Sequence, residues 1–591
     1  MTAGVLVCIG QDVLAVEVGK FFTVAERDGA WWFLDPDGRP FFSFGVNVAS
    51  PGPEQSLYDD AHPQYAAWRY YGDQEKWAKA TLSRLQRWKF NTIGGWHDRR
   101  LRRDGWAYTE VLHIGVELGV PWNDMFDASF ATQMDQLAAE RVAPHRNDTQ
   151  LVGWFPDNEL GWFSDALFMH HLSQPAESKT RQRLVQLLRE RYDGDFSKLT
   201  RDFKPAPETN DFEALEKGGG LKLCSGGDGP KVIADFVEAM AERYYDVVCS
   251  AIRKHDPNHL ILGDRYPGYC PDAVVRAAGR HLDVISTNYD WPQGVDGYLP
   301  RCYLRRLHEL TGKPVIVTEY YSAATENRSG NPNSGGLFVV TPDQKSRAEV
   351  VRRRLSTFAD ESYIVGAHWF AYADEPTHGR AGDGEDYNFG LVDIHDQPYE
   401  LLTDGMRQWH VEAVKLHDSS GSKMDRASEF PIEIAPLAAA TTLDAIGETL
   451  HSQTIVPSAD RGSPAELNAT WDATHLYLTI SGNHFVETSA YAEQPVPLSE
   501  GQTWRVTVTH GEQAIDFELQ MLGERCALAG PTVEHRHWQR GVRFGATAAI
   551  PASQWGVDGC KTGNVVSIRA ELCDGSREQP TTWETDLALS K

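Results

Sequence analysis

The sequence predicts a mixed α/β fold, a (β/α)8 TIM barrel over residues 41–417, followed by an all-β sandwich over residues 438–591. In the first part, short apolar runs alternate with segments of amphipathic helical spacing, which is typical of parallel βα units. Polar residues stand at the carboxyl ends of several of these runs, where barrel enzymes place their reactive groups. In the second part, apolar and polar residues alternate, which indicates half-buried strands.

Residues 1–40 are expected to form an N-terminal segment and a β-hairpin that caps the barrel. Strand-like sequence at 21–26 and 31–34 is followed by the turn Asp35-Pro36-Asp37-Gly38. The start of the chain has no basic region, so no signal peptide is visible; the protein would be secreted or periplasmic if such a signal had been removed, and cytoplasmic otherwise. No apolar run reaches the ~18 residues of a transmembrane helix, so no membrane partner is expected.

Eight barrel strands are expected, and their number fits a closed barrel. The runs that carry them are 40–47, 91–98, 118–124 (or the loop after the third strand), 151–159, 260–264, 282–289, 314–321 and 364–370. A doubly wound sheet would show the same alternation, but no G-x-G-x-x-G fingerprint follows a first strand. A polar insertion at 165–217 is expected to cover the site as a lid or to contact a second subunit, and 418–437 is expected to be a linker.

Composition favours a neutral substrate. The net charge of −26 repels nucleic acid, acidic lipid and polyanions. The 18 Trp and 21 Tyr offer flat apolar faces with polar edges, which suit sugars. The eight cysteines lie far apart without a CxxC pair, so neither a zinc site nor a disulfide framework is indicated, and we expect no metal and no cofactor. A homo-oligomer is compatible with the sequence.

Two glutamates follow buried runs. Glu159 ends the fourth expected strand and Glu319 the seventh, and these strands face each other across the mouth of a barrel. A pair of carboxyl groups suffices for glycoside hydrolysis: at roughly 5–5.5 Å one attacks the anomeric carbon and configuration is retained, whereas roughly 6.5–9.5 Å admits a water and inverts it. The sequence leaves that distance open.

Other strand ends supply candidate substrate-binding residues. We expect Asn158 to bond the sugar 2-hydroxyl, Tyr289 to donate to the nucleophile, and Trp369 to form the floor beneath the sugar ring. The remaining candidates for the wall are Asn47, Trp96 and His97. A purely structural histidine fits His97 equally well, and aromatic packing is the more frequent role for a tryptophan such as Trp96.

The combination of Asn158-Glu159, Tyr289, Glu319 and Trp369 at successive strand ends resembles clan GH-A, the retaining (β/α)8 glycosidases. Segments 35–47, 90–94 and 153–159 are most similar to the β-agarases of glycoside hydrolase family 50, over about residues 21–416. The resemblance implies Glu159 as acid/base, Glu319 as nucleophile and an agarose-like β-linked galactan as substrate. Those agarases usually carry their accessory β-domain before the barrel, whereas here it follows.

The C-terminal part, at 469–472, 476–478 and 548–556, resembles a family 9 carbohydrate-binding module. A sandwich that only packs on the barrel fits the same segments.

Three other functions remain open. An exo-acting β-galactosidase-like enzyme on oligosaccharides such as carrageenan fragments would use the same pair of acids. A non-catalytic carbohydrate-binding protein would keep the barrel but produce no new reducing ends. A metal-dependent barrel hydrolase would need several His and Asp ligands at strand ends, for which few candidates exist.

Overall fold

The structure is a computed structural model that describes residues 20–224, 228–267, 270–288, 301–334, 338 and 340–421. In the C-terminal part it describes 432–434, 454–457, 466–483, 503–511, 513–522, 525–529, 533–540, 543–573 and 581–589. The expected segment 1–19, the residue Tyr289 and most of the expected linker lie outside the described residues.

The strands are named in chain order. They are β1 Thr23–Arg27, β2 Ala30–Leu34, β3 Pro40–Phe41, β4 Ser43–Val46, β5 Thr92–Ile93, β6 Ala107–Val111, β7 Leu151–Phe155, β8 Phe203–Pro205, β9 Leu221–Leu223, β10 Leu260–Ile261, β11 Tyr266–Pro267, β12 Ile285–Asn288, β13 Val315–Tyr320, β14 Ala323–Ala324, β15 Val340–Thr341, β16 Ile364–Trp369, β17 Ile432–Ile434, β18 Thr454–Pro457, β19 Glu466–Trp471, β20 His475–Asn483, β21 Thr503–His510, β22 Gln513–Leu522, β23 Arg525–Ala529, β24 Glu534–Arg540, β25 Arg543–Pro551, β26 Val565–Cys573 and β27 Thr581–Leu589.

The helices are named in the same way. They are α1 Trp68–Tyr71, α2 Gln74–Arg87, α3 Ile114–Glu117, α4 Ala128–Arg141, α5 Ser164–Ser173, α6 Lys179–Arg191, α7 Phe196–Leu199, α8 Phe212–Glu216, α9 Gly229–His255, α10 Asp272–Gly279, α11 Arg301–Thr311, α12 Gln344–Asp360 and α13 Glu400–Asp418. Among the helices that the structure describes, none combines the length and apolar character needed to cross a bilayer.

A parallel sheet of nine strands organises residues 43–369, in the order β10-β7-β6-β5-β4-β16-β13-β12-β11. The strands alternate with helices along the chain, as the sequence predicts. The two outermost strands, β10 and β11, are consecutive in the chain and are separated only by residues 262–265. At most about 3.5 Å per residue can be bridged by extended chain, so the two edges of the sheet lie close together.

The third strand of the sheet is β6, which precedes residues 118–124. These residues were expected to be either the third strand or the loop after it, and they belong to the loop. Gly119 takes a φ of +72°, so this segment turns instead of extending. The strand itself, Ala107-Tyr108-Thr109-Glu110-Val111, contains a polar pair, which hides it from a search for continuous apolar runs.

The N-terminal hairpin pairs β1 with β2 in antiparallel register, from Thr23 opposite Leu34 to Arg27 opposite Ala30. Phe22 and Phe33 are buried in a cluster that also holds side chains from the parallel strands, among them Val152, Ile316 and Val365. Aromatic burial of this kind stabilises the contact between the hairpin and the sheet by about 1.5–3 kcal/mol per side chain.

A helical insertion lies between β7 and β10 and comprises α5 to α8 with the small hairpin of β8 and β9. Its inner side is built around Arg181, which is 1% exposed and donates to the carbonyl oxygens of Leu215 and Gly219 at 2.7 and 2.9 Å. The amphipathic spacing at 232–252 forms part of the long helix α9, as expected.

The described residues beyond 432 form two β-sheets. One has the order β17-β27-β26-β21-β22-β23 and the other β18-β19-β20-β25-β24. Buried residues from both sheets share one hydrophobic cluster, which includes Leu478 and Ile550 from one sheet and Val506, Ile568 and Leu587 from the other. Two sheets that share a core in this way are a sandwich arrangement.

Candidate active site

Glu159 and Glu319 stand at the carboxyl ends of the strands that the sequence predicts for them. Glu319 lies within β13 and is only 8% exposed, whereas Glu159 follows β7 and its side chain is exposed to solvent. The backbone of Glu159 takes a φ of +52°, and its N–H donates to the carbonyl oxygen of Asp264 at 3.1 Å. A left-handed residue that is not glycine is held by its surroundings, and such positions cluster at functional sites.

The segment between β10 and β11 carries a residue that the sequence analysis did not single out, Arg265. Gly263 and Arg265 both have a positive φ, +86° and +51°, and the backbone N–H of Arg265 donates to Ser286 Oγ at 2.8 Å. This bend directs the guanidinium inward, where it is fully buried. Its Nε donates to Asn158 Oδ1 at 2.8 Å and its Nη2 to Glu319 Oε1 at 2.5 Å.

Asn288, the last residue of β12, lies beside Glu159. Its Nδ2 donates to Glu159 Oε1 at 2.8 Å and to Asn158 Oδ1 at 3.2 Å, while its own Oδ1 accepts from Thr318 Oγ1 at 2.8 Å. A continuous chain of hydrogen bonds therefore joins the two carboxyl groups, running through Glu319, Arg265, Asn158, Asn288 and Glu159.

The electrostatics of Glu319 reflect both its burial and its partners. Burial raises the pKa of Glu319 to about 7, the positive charges of Arg265 and Arg380 oppose that rise, and the negative charge of Glu159 adds to it. Glu159 is thus close enough to Glu319 for its charge to affect the ionisation of Glu319, as expected of two acids that face one substrate.

Trp96 presents an aromatic face beside this pair. It is 37% exposed, and the Arg265 guanidinium lies 4.6 Å from the centroid of its ring, which is a cation–π contact. Its indole Nε1 donates to His113 Nε2 at 2.9 Å, which fixes the plane of the ring. Of the predicted aromatic residues that the structure describes, Trp96 has the exposure that a sugar platform requires.

Asn47 lies inside the sheet and holds two neighbouring segments. It is fully buried, donates from Nδ2 to the carbonyl oxygen of Thr318 at 2.8 Å and accepts from the N–H of Gly95 at 2.8 Å. In this structure it positions the backbone next to Glu319 and has no surface for a substrate.

Both ring nitrogens of His97 are engaged within the protein. Nδ1 donates to the carbonyl oxygen of Gly94 at 2.6 Å, and Nε2 accepts from Arg102 Nε at 2.9 Å. Burial, and after it the nearby positive charge of Arg102, lower the pKa of His97 to about 3. The structural alternative for His97 is therefore the one that the geometry favours.

Trp369 is fully buried at the end of β16, so it does not form an exposed floor in this structure. Its indole N–H donates to the carbonyl oxygens of Ala371 and Phe389 at 3.1 and 3.0 Å, which ties the strand end to the chain that follows. The next ring, Phe370, is 5% exposed. Tyr289 lies outside the described residues.

The loop at 374–390, which follows β16, carries one arginine among several acids. Arg380 pairs with Asp383 and Glu385 at 2.6 Å each, and its guanidinium lies 5.4 Å from the ring of Phe370. Burial raises the pKa of Glu375 to about 9, against the attraction of Arg380. Within the described ranges, no group of three or more His, Cys, Asp or Glu side chains is arranged to hold a metal ion.

Two buried aspartates flank the backbone of Glu159. Asp157 accepts from the N–H groups of Gly115 and Val116 at 2.7 and 2.9 Å and from Tyr244 Oη at 2.5 Å, and Tyr244 also contacts Asp264 at 3.2 Å. Burial raises the pKa of both carboxyl groups, and the charge of Asp157 adds to the effect on Asp264. The tyrosine thus links the two segments on which Glu159 rests.

The structure brings the predicted Glu159, Glu319 and Asn158 together with Arg265 and Asn288, which the sequence analysis did not name. Asn288 immediately precedes the predicted Tyr289, so the strand was identified but not the residue. For Arg265 the available signal was a buried-looking run that ended in Gly263-Asp264-Arg265, a charged end like those of the fourth and seventh strands.

Known proteins with similar sequences are agarases. No family model matches the sequence. β-Agarase A of Vibrio sp. (strain JT0107) is 26% identical over 533 residues, which cover 77% of this chain and 51% of that protein. β-Agarase B of the same strain is 26% identical over 484 residues, with 67% and 48% covered. The chain therefore spans about half the length of the curated relatives that it matches.

A solved structure of an agarase is similar in three dimensions, with a TM-score of 0.58 and 25% sequence identity over 68% of this chain and 66% of that one. The chain is thus homologous to glycoside hydrolases of the agarase type.

Proposed function

We propose that this relative of β-agarases is a retaining β-glycoside hydrolase that cleaves an agarose-type β-linked galactan. The observation that carries the proposal is the linked pair of acids, in which a buried Glu319 is held by Arg265 and an exposed Glu159 is held by Asn288. The similarity to β-agarases A and B supports the substrate class.

The burial of the two acids supports different roles for them. Glu319, paired with a fixed guanidinium, attacks the anomeric carbon as a carboxylate while the glycosidic C–O bond breaks. Glu159 gives its proton to the leaving oxygen, then takes a proton from the water that attacks the anomeric carbon and releases Glu319. The acid/base must reach both the leaving group and water, and Glu159 is the exposed member of the pair.

The remaining contacts with the substrate are assigned to Asn158, which is half-buried, and to Trp96, which is exposed. Asn158 donates from its amide nitrogen to the sugar 2-hydroxyl, and Trp96 provides the aromatic platform. The backbone around the site is held by three residues that do not contact the substrate, Trp369, Asn47 and His97. Tyr289 keeps its predicted role as a hydrogen-bond donor to the nucleophile.

The proposed fold is the closed (β/α)8 barrel of clan GH-A. Support comes from the short connection between β10 and β11 and from the hydrogen bond that Asp283 N–H donates to the carbonyl oxygen of Ile261, which links the fifth and sixth strand positions. The C-terminal sandwich is proposed to be a carbohydrate-binding module of the family 9 type.

Substitution of the two acids with azide rescue tests the mechanism. Glu159→Ala should lower kcat on agarose oligosaccharides by about 10²–10⁴-fold, because the general acid is lost. On an aryl glycoside of an agarose oligosaccharide, whose phenolate leaves without protonation and so still forms the covalent intermediate, added azide should restore turnover and yield a glycosyl azide of the β configuration, since the small anion attacks that intermediate from the vacated side. Glu319→Ala with azide should yield the α-azide instead.

The wild-type enzyme provides the stereochemical control. Proton NMR of the first product formed should show the β-anomer at the new reducing end. An α-anomer would establish inversion and remove Glu319 as nucleophile, whereas full activity in Glu319→Ala would remove the pair altogether.

A separate assay addresses the alternative exo-acting β-galactosidase. Its signature would be rapid hydrolysis of nitrophenyl β-galactoside with little action on agarose oligosaccharides, and the proposal predicts the reverse preference.

A further inference from the structure

We infer that Arg265 is the positioning residue that holds both halves of the catalytic pair in register, and that it keeps Glu319 ionised for attack. The catalytic part of this inference, in which Glu319 attacks the substrate, rests on the proposed function. It concerns a residue on the bent segment between β10 and β11, which lies on neither of the strands that carry the two glutamates.

The geometry of the guanidinium is the first support. One planar group donates to Glu319 from Nη2 and to Asn158 from Nε, and Asn158 immediately precedes Glu159 in the chain. A guanidinium presents its donors in a rigid fork, so the two acceptors are held at a fixed spacing. A lysine, with a single ammonium group, cannot bridge both in this way.

The backbone beside the guanidinium is the second support. The carbonyl oxygen of Asp264 accepts from the N–H of Glu159 at 3.1 Å, directly before the residue whose side chain reaches Glu319. Adjacent residues of one segment therefore hold the backbone of one glutamate and the carboxyl group of the other. A displacement of this segment would move both reacting groups together.

The surroundings of Arg265 keep it in this orientation. The side chain is fully buried, its backbone N–H is held by Ser286 Oγ, and the indole of Trp96 lies 4.6 Å from the guanidinium carbon. Since the guanidinium has no exposed surface, it acts on the substrate only through the residues that it holds.

The charges that face Glu319 give the inference a measurable consequence. They are the positive Arg265 and Arg380 and the negative Glu159, and Arg265 is the one in direct contact. Burial raises the pKa of Glu319 and the contact with Arg265 opposes that rise. Removing the guanidinium charge should therefore raise the pKa further and leave Glu319 protonated over a wider range of pH.

The test compares Arg265→Met and Arg265→Lys with the wild type. The acid limb of the kcat/KM profile, on which activity falls as Glu319 is protonated, should move to higher pH by a unit or more in Arg265→Met. In Arg265→Lys the limb should stay near that of the wild type, because the charge is kept, while kcat/KM at the optimum falls at least tenfold. Arg181→Met is the matched control, since Arg181 is an equally buried arginine with two hydrogen bonds remote from the pair.

A second readout requires no activity. A carboxyl group whose pKa is raised on folding stabilises the protein below its unfolded pKa, and this contribution is lost as the pH rises through the folded pKa. The difference in Tm between each protein and its Glu319→Gln derivative should therefore change with pH and level off near the folded pKa of Glu319. The pH at which this Tm difference stops changing should rise in Arg265→Met and stay unchanged in Arg181→Met.

The inference would be overturned if Arg265→Met left unchanged both the acid limb of the kcat/KM profile and the pH at which the Tm difference stops changing. Arg265 would then be a packing residue. If Arg265→Met does not fold, wild-type kcat/KM in Arg265→Lys would overturn it instead. Failure of the proposed function is distinct: the wild type would not hydrolyse galactan oligosaccharides, while the Tm differences would still report on Glu319.

Discussion

Asn158 shows how one amide can be oriented by the donors that surround it. Arg265 and the Asn288 side-chain nitrogen both donate to Asn158 Oδ1. Since a guanidinium has no acceptor, the amide cannot turn over without losing that contact. Asn158 must therefore present its NH2 group away from Arg265, and this group is the one that we propose for the sugar 2-hydroxyl.

Asn158→Asp separates these two functions. The carboxylate still accepts from Arg265 but cannot donate to the substrate, so kcat/KM on the parent galactoside should fall by about 10–100-fold, as expected for a lost hydrogen bond of about 1.5–3 kcal/mol. The same substitution should cost much less on a 2-deoxy galactoside, which has no hydroxyl at that position.

The ratio of the two losses is the decisive quantity, because the added negative charge affects both substrates alike. Equal losses on the two galactosides would show that Asn158 does not contact the 2-hydroxyl.

At the scale of single residues, sequence alone could identify acids at strand ends but not the contacts between side chains. Glu159 and Glu319 stand where buried runs terminate, and a run of this kind is visible in the sequence. Whether Trp369 reaches the surface depends on neighbours further along the chain, such as Phe389, whose carbonyl oxygen accepts from its indole N–H. Such contacts leave no local pattern.

At the scale of elements, the bend between β10 and β11 has the largest effect on the site. Gly263 has a φ of +86°, and a Cβ added there would lie 3.0 Å from Ser286 Oγ and 3.1 Å from Leu282 Cδ1. Ser286 Oγ is also the acceptor for the backbone N–H of Arg265. The glycine is therefore required both by its backbone conformation and by its close neighbours.

Gly263→Ala should lower Tm and activity together, because the new methyl group pushes on the hydroxyl that anchors Arg265. Gly105→Ala is the matched control: Gly105 has a φ of +85° and no neighbouring atom within 4 Å of an added Cβ, so it carries the backbone cost of roughly 1–2 kcal/mol without the contact. The measurement is thermal unfolding alongside kcat/KM.

The difference between the two variants isolates the contribution of the contact. An equal loss of Tm and no loss of activity in Gly263→Ala would show that the bend does not position the pair.

The elements themselves were largely predictable where hydrophobic periodicity is strong. Seven of the expected runs contain strands of the parallel sheet, and β6 and the two-residue β11 lie outside them. The apolar pattern of β6 is broken by Thr109 and Glu110. The bend was not predictable, because the positive φ of Arg265, which is uncommon for a residue other than glycine, depends on tertiary contacts and not on local propensity.

At the scale of the whole molecule, the buried side chains fall into separate clusters. The largest extends from Ala30 to Ala413 and a second from Leu467 to Leu589 among the described residues. A unit with its own hydrophobic core can fold by itself. The domain boundaries predicted from the sequence stay a prediction, in which the linker 418–437 falls between the two clusters.

A chain that ends at residue 431 tests the division. It should unfold cooperatively and hydrolyse soluble galactan oligosaccharides at the wild-type kcat/KM, because every residue placed in the site lies before that point. Adsorption to insoluble agarose should fall if the sandwich binds the polysaccharide. Unchanged adsorption would contradict the carbohydrate-binding proposal, and loss of folding would contradict the division itself.

The short bend between β10 and β11 also bears on how such an enzyme can diversify. Because it holds the backbone of Glu159 through Asp264 and the carboxyl group of Glu319 through Arg265, we expect mutations there to change both side chains at once. We expect a change of sugar or linkage to be tolerated more easily in segments that do not carry this shared anchor, such as the helical insertion between β7 and β10. Under the proposed function, the substrate range could then change while the pair of acids stays the same.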